Sequence, residues 1–185
     1  MAELTNQFCE STGFAEVTLS QYGRYTGDAD KPLLPFLNEK TVLTYFTGDS
    51  GSIKLGSSVH SVEAGMIVVL FPGQCVNCTA MEGTQISAMW AELSGEALSS
   101  VLMRAGLTPQ KPILTPTVPA DQSELVAAFT RLTDPEAQYG PLRATGLALE
   151  LLDCLLRETP RPCQPKIANL QRYYVDKSIR FIKAK

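Results

Sequence analysis

The hydrophobic rhythm of this chain changes once, near Ser94, and any fold it adopts has to honour that change. Before Ser94 the apolar residues come in short runs rich in β-branched and aromatic side chains. In TVLTYFTGDSGSIKL such runs flank Gly48-Asp49-Ser50-Gly51, which reads as a hairpin turn. In VHSVEAGMIVVLFPG, Glu63-Ala64-Gly65 reads as a turn ahead of a buried strand from Met66 to Phe71, which Pro72-Gly73 ends. TQISAMWAEL is a further strand. Strands spaced by roughly 8–12 residues predict a sandwich or barrel.

After Ser94 the period is helical. SGEALSSVLMRAGL places Leu98, Val101, Leu102 and Ala105 on one face and closes on Gly106, a C-cap signal. ADQSELVAAFTRLTD opens with Asp121 and has Glu124 three residues on, the spacing of a capping box, with Leu125, Ala128, Phe129 and Leu132 as its apolar face. The segment from Pro141 to Glu158 carries two apolar stripes. Leu142, Leu149, Leu152 and Leu156 follow a heptad-like rhythm, and Leu147, Leu151 and Leu155 recur at i, i+4, i+8. A helix apolar on two sides is buried on two sides. One stripe is expected on the β domain; the other needs a neighbouring helix of this chain or the same helix of a second copy, and the expectation is a homodimer through Leu142, Leu149, Leu152 and Leu156. TPRPCQPK follows, and its prolines make it a linker. In the closing YYVDKSIRFIKAK, Val175, Ile179 and Ile182 share one face of an amphipathic helix.

The chain has 185 residues, 44% of them hydrophobic and 19% charged, enough to bury a sizeable core. A net charge of −3 lacks the basic footprint of a domain that grips nucleic acid on its own. MAELTNQFCES has neither a basic start nor an apolar run, and no stretch approaches the ~18 apolar residues of a membrane span. Five cysteines at irregular spacing fit reduced thiols, so the expectation is a cytoplasmic chain without membrane contact.

Catalytic chemistry finds little to work with. A structural zinc site needs four ligands, and here one Cys75-x-x-Cys78 pair stands beside a single histidine, His60. Phosphate-cradling glycine motifs and a nucleophile elbow are missing, and Glu63, Glu82 and Glu92 are scattered. The expectation is no catalytic residue, no metal and no cofactor. What the β half offers is aromatic side chains on strands. Trp90 and Glu92, two residues apart, point the same way, and Tyr22, Tyr45 and Lys40 are candidates for the rim of a small-molecule pocket. The competing reading makes Trp90 plain core.

Together, VLTYFTGDSGSIKLGSSVHSVEAGMIVVLFPGQ and MWAELSGEALSSVLMRAGL resemble the N-terminal effector-binding and dimerisation domain of AraC-type transcription regulators. The likeness lies in the order of a strand, a G-x-G hairpin at Gly48–Gly51, a Gly-led strand ending at proline, and a Trp strand leading into a helix. It covers roughly residues 40–107. Met66 stands where the family has an acidic residue, Glu92 where it has histidine, and Leu93 where it has phenylalanine. NLQRYYVDKSIRFIKAK resembles the first helix of the family's helix-turn-helix domain. The resemblance implies an α+β chain: a cupin-like double-sheet barrel of jelly-roll type over 1–94, a helical dimerisation segment over 95–158, a linker over 159–166, and the start of a truncated DNA-reading domain over 167–185. It implies a regulatory domain that binds a small-molecule effector, for which Trp90, Glu92, Tyr22, Tyr45 and Lys40 are the candidates taken from residue type and strand position, and that meets DNA only through the domain that would follow. A stand-alone cupin-type enzyme and a dimerisation module without effector are the alternatives.

Overall fold

The computed structural model describes residues 3–8, 16–28, 33–37 and 39–159, the side chains of residues 3, 28 and 33–37 excepted. Its strands are β1 (Glu3–Phe8), β2 (Thr18–Asp28), β3 (Leu33–Leu37), β4 (Thr41–Phe46), β5 (Gly51–Leu55), β6 (Ser58–Val62), β7 (Ile67–Leu70), β8 (Cys75–Ala80), β9 (Gln85–Ser94) and β10 (Ile113–Leu114). Three helices complete it: α1 (Leu98–Arg104), α2 (Glu124–Leu132) and α3 (Pro141–Glu158). The linker and helix-turn-helix readings, from residue 160 onward, lie outside the described residues.

The strands form two antiparallel sheets. One has six strands in the order β1-β2-β9-β4-β7-β10 and the other four, β3-β8-β5-β6. Their inner faces share one core, in which Val42, Phe46, Leu70 and Ile86 of the larger sheet meet Ile53, Leu55, Val76 and Ala80 of the smaller. The outer face of the larger sheet carries a second core. There Leu19, Leu43, Ile67, Val69, Ala91 and Leu93 pack under the helices, against Phe129, Leu132, Leu147 and Leu151. A sheet covered on both faces needs strands without a polar side, which is why all of β4 and all of β7 are buried.

The Gly48–Gly51 turn is not a hairpin. β4 belongs to the six-stranded sheet and β5 to the four-stranded one, so this segment carries the chain from one sheet to the other. It leaves along β9, with Gly48 N–H donating to the Ser87 carbonyl (3.2 Å) and Asp49 N–H to that of Gln85 (3.0 Å). The hairpin of this region is β5–β6, closed at Gly56, whose φ of 60° suits glycine. After α1 the chain returns to the larger sheet, where β10 pairs with β7. Residues 1–94 and 95–158 therefore share one sheet and one core.

The helix ends follow local chemistry. α1 closes in a Schellman turn, Gly106 at φ 80° with its N–H on the Met103 carbonyl and the Leu107 N–H on that of Leu102. α2 does not use the Asp121–Glu124 box. Its N-cap is Ser123, whose Oγ accepts from Val126 N–H (3.0 Å) and donates to Glu158 Oε2 (2.6 Å), while Glu158 Oε1 accepts from Leu125 N–H (2.9 Å). The last residue of α3 thus completes the cap of α2. Arg131 pairs with Glu150, and Arg157 with Glu124, across the same two helices.

The stripes of α3 separate. Leu147, Leu151 and Leu155 are buried in this chain's own core. The proposed interface stripe does not stay whole. Leu142 and Leu149 are 71% and 49% exposed, Leu152 is only 3% exposed, and Leu156 is partly buried. At about 100° per residue, Leu152 lies ~60° round the helix from Leu149 and turns into the core.

Candidate functional site

Strand pairing builds the site in rungs. Gln21, Gly23 and Tyr25 of β2 stand opposite Glu92, Trp90 and Ala88 of β9, and these opposite Val42, Thr44 and Phe46 of β4. Side chains alternate along a strand, so these residues all face the four-stranded sheet. β1 extends the rungs outward: Leu4 pairs with Tyr25, and Asn6 with Gly23. The two sheets diverge here and leave a cavity of about 450 Å³, closed on the far side by Ile53, Val76 and Cys78. That volume suits a small organic molecule.

The polar groups are few and sorted by position. At one end Lys40 Nζ lies 3.2 Å from Glu92 Oε1 and donates to Ser20 Oγ at 2.8 Å. The Glu92 side chain is 18% exposed and that of Lys40 42%, so the pair straddles the mouth and is screened by solvent. Glu39, Asn6 and Gln21 line the same end, with Asn6 Nδ2 donating to Gln21 Oε1 at 3.0 Å. Deeper, the Trp90 indole N–H is buried and has no hydrogen-bond partner. Such a donor left unsatisfied costs about 1–3 kcal/mol. Deeper still the walls are apolar, apart from Thr44 and the Tyr25 hydroxyl. Burial pushes the Cys78 thiol up to about 12, so it faces the cavity as a neutral, weakly polar group.

Trp90, Glu92 and Lys40 therefore come together on one cavity, whereas Tyr22 and Tyr45 do not join them. Tyr22 is the neighbour of Gly23, which opposes Trp90, and one residue along a strand reverses the face. Tyr22 is buried under the helices. Tyr45, next to Thr44, places its ring 6.0 Å from that of Phe129, and burial and then the nearby Glu158 carboxylate raise its hydroxyl above the ordinary range. The tyrosine that lines the cavity is Tyr25, and the strand partners Thr44, Gln21 and Asn6 line it as well. Only the register with β9 singles them out, and register is a long-range property.

Cys75 and Cys78 sit three apart on a strand, so one is exposed and the other lines the cavity, and they cannot close on one ion. His60 lies on the edge strand β6 opposite Ile53 and is not among the cavity walls. Among the described residues no three His, Cys, Asp or Glu side chains are grouped as a metal site. No described helix is long and apolar enough to cross a membrane.

No family model and no curated protein matches the sequence. Among solved structures, YhaK from Escherichia coli is similar at 10% identity and a TM-score of 0.45, over 51% of this chain and 46% of that one. The cupin domain of Schizosaccharomyces pombe Cnp3 is similar at 8% identity and a TM-score of 0.42, over 57% and 67%. A predicted oxalate decarboxylase from Thermotoga maritima is similar at 9% identity and a TM-score of 0.39, over 42% and 68%. The chain spans less than half the length of YhaK. These are partial likenesses of backbone course, and they transfer no chemistry.

Proposed function

We propose that this chain binds a small molecule between its two sheets and works as the effector-binding, dimerising part of a transcription regulator of the AraC type. The observation that carries the binding is the cavity of about 450 Å³, walled by apolar side chains with charged groups at one end. A packed core would leave no such space. The regulatory setting draws on the resemblance of the 40–107 segment. In it a ligand shifts the balance between two arrangements of the protein, by as much as its affinities for them differ. DNA contact belongs to another domain, as the charge of −3 favours. A second copy of the chain would meet this one through Leu142 and Leu149, the members of the α3 stripe that the described residues leave most exposed.

The chain has one tryptophan, so its emission reports on the cavity wall alone. In a screen of small metabolites, a true effector is expected to shift that emission and raise the melting temperature. At a hundredfold excess over Kd the stabilisation is about 2.7 kcal/mol, or roughly 5–10 °C for a domain of this size. A broad screen that moves neither quantity would overturn the reading.

A further inference from the structure

The cavity is graded, and the grading specifies a ligand. The charged groups lining it among the described residues are Glu39, Lys40 and Glu92, all at one end. Two carboxylates thus face one ammonium, and that ammonium is already engaged by Glu92 and Ser20. A ligand carboxylate arriving there would shed water and meet a net negative rim whose cation is taken. One rung inward the Trp90 ring forms part of the wall beside Thr44. Beyond it, Phe46, Ile53, Val76 and Ala88 offer apolar surface, interrupted by Tyr25 and the Cys78 thiol.

On the premise that the cavity is a binding site, we propose that it selects a neutral or singly cationic ligand with an apolar body and excludes carboxylates. The body fills the Phe46 end. A hydroxyl or ammonium group at the mouth donates to Glu92. Glu92 is the specificity residue in this arrangement, because it contributes the negative charge and also holds Lys40 away from an incoming anion.

Four probes with one body separate these terms: 4-phenylbutylamine, 4-phenylbutan-1-ol, 4-phenylbutan-2-one and 4-phenylbutanoate. Calorimetric titration of the full chain is expected to show the carboxylate binding at least about tenfold more weakly than the amine, the size of effect that one mismatched charge produces. In Glu92→Gln the amine's advantage over the carboxylate should shrink at least several-fold, since the substitution removes a negative charge and one partner of Lys40. In Lys40→Met the preference for the amine should sharpen while the ketone is unaffected. Trp90→Phe, which trims the shared wall, should weaken all four probes alike and leave their order unchanged, with circular dichroism confirming that each variant is folded. A carboxylate that binds tightest to the wild type, or an amine-to-carboxylate ratio unchanged by Glu92→Gln and Lys40→Met, overturns the assignment of ligand class while leaving the cavity as a binding site. If none of the four shifts the Trp90 emission at millimolar concentration, the binding premise itself fails.

Discussion

Two glycines set the width of the cavity wall. A Cβ on Gly23 would come within 1.9 Å of the Thr5 carbonyl oxygen, so β1 lies against β2 only because that position is bare. A Cβ on Gly27 would fall 2.0 Å from the Tyr25 hydroxyl, which occupies the space the glycine leaves. The first contact is with backbone and has little room to give. Gly23→Ala is expected to cost about 1–3 kcal/mol and to loosen β1, read as faster amide exchange across Leu4–Phe8 with β4 and β9 unchanged. The third residue of interest is Cys78. Its thiol is raised from 9.0 to about 12 by burial, so folding favours the protonated form. The resulting stability is present below the ordinary thiol range and is lost as pH climbs through it toward 12. Urea unfolding at about pH 8 and about pH 10.5 should therefore show the wild type losing more stability than Cys78→Ala. With Cys9 and Cys163 replaced by serine, a thiol reagent should modify the exposed Cys75 well before Cys78.

Several helices and strands were legible individually because each is specified by its own residues. The buried strand inside Met66–Phe71, which runs Ile67–Leu70, the Gly106 stop and the Pro141 start can all be read from local pattern; β1, β3, β8 and β10 were not. What joins the elements cannot be read that way. Glu158 caps a helix that begins thirty-odd residues earlier, and nothing near Ser123 in the sequence points to it. A carboxylate at the end of α3 is badly placed for its own helix dipole and well placed for the start of α2. Glu158→Ala strands the Leu125 N–H and loosens the Ser123 cap, at an expected cost of about 1–3 kcal/mol in chemical denaturation. Phe129, fully buried and against Tyr45, should cost about 3–5 kcal/mol on replacement by alanine. On the far side of α3, Leu142→Lys with Leu149→Lys should leave the fold intact, since both side chains are exposed. Sedimentation at tens of micromolar would then show a wild-type dimer and a mutant monomer. A monomeric wild type would remove the second copy from the proposal.

The described residues form two interiors on either side of one sheet. Their existence followed from composition and from the change of period, but the assignment of each aromatic residue to one interior or the other did not. Tyr22 and Tyr25 look alike in sequence, yet pairing with β9 sends the first to the helices and the second to the cavity. β4 runs between these interiors with no solvent face. Thr44 looks into the cavity while Tyr45 touches Phe129, which α2 holds beside the Glu158 cap. A close-packed wall does not absorb displacement by compressing. A guest that pushes on Thr44 is therefore felt by its neighbour's ring, by α2, and at Glu158, the last residue of α3. Occupancy of the cavity would in this way be registered at the opposite surface, without any residue that touches both the guest and the helices.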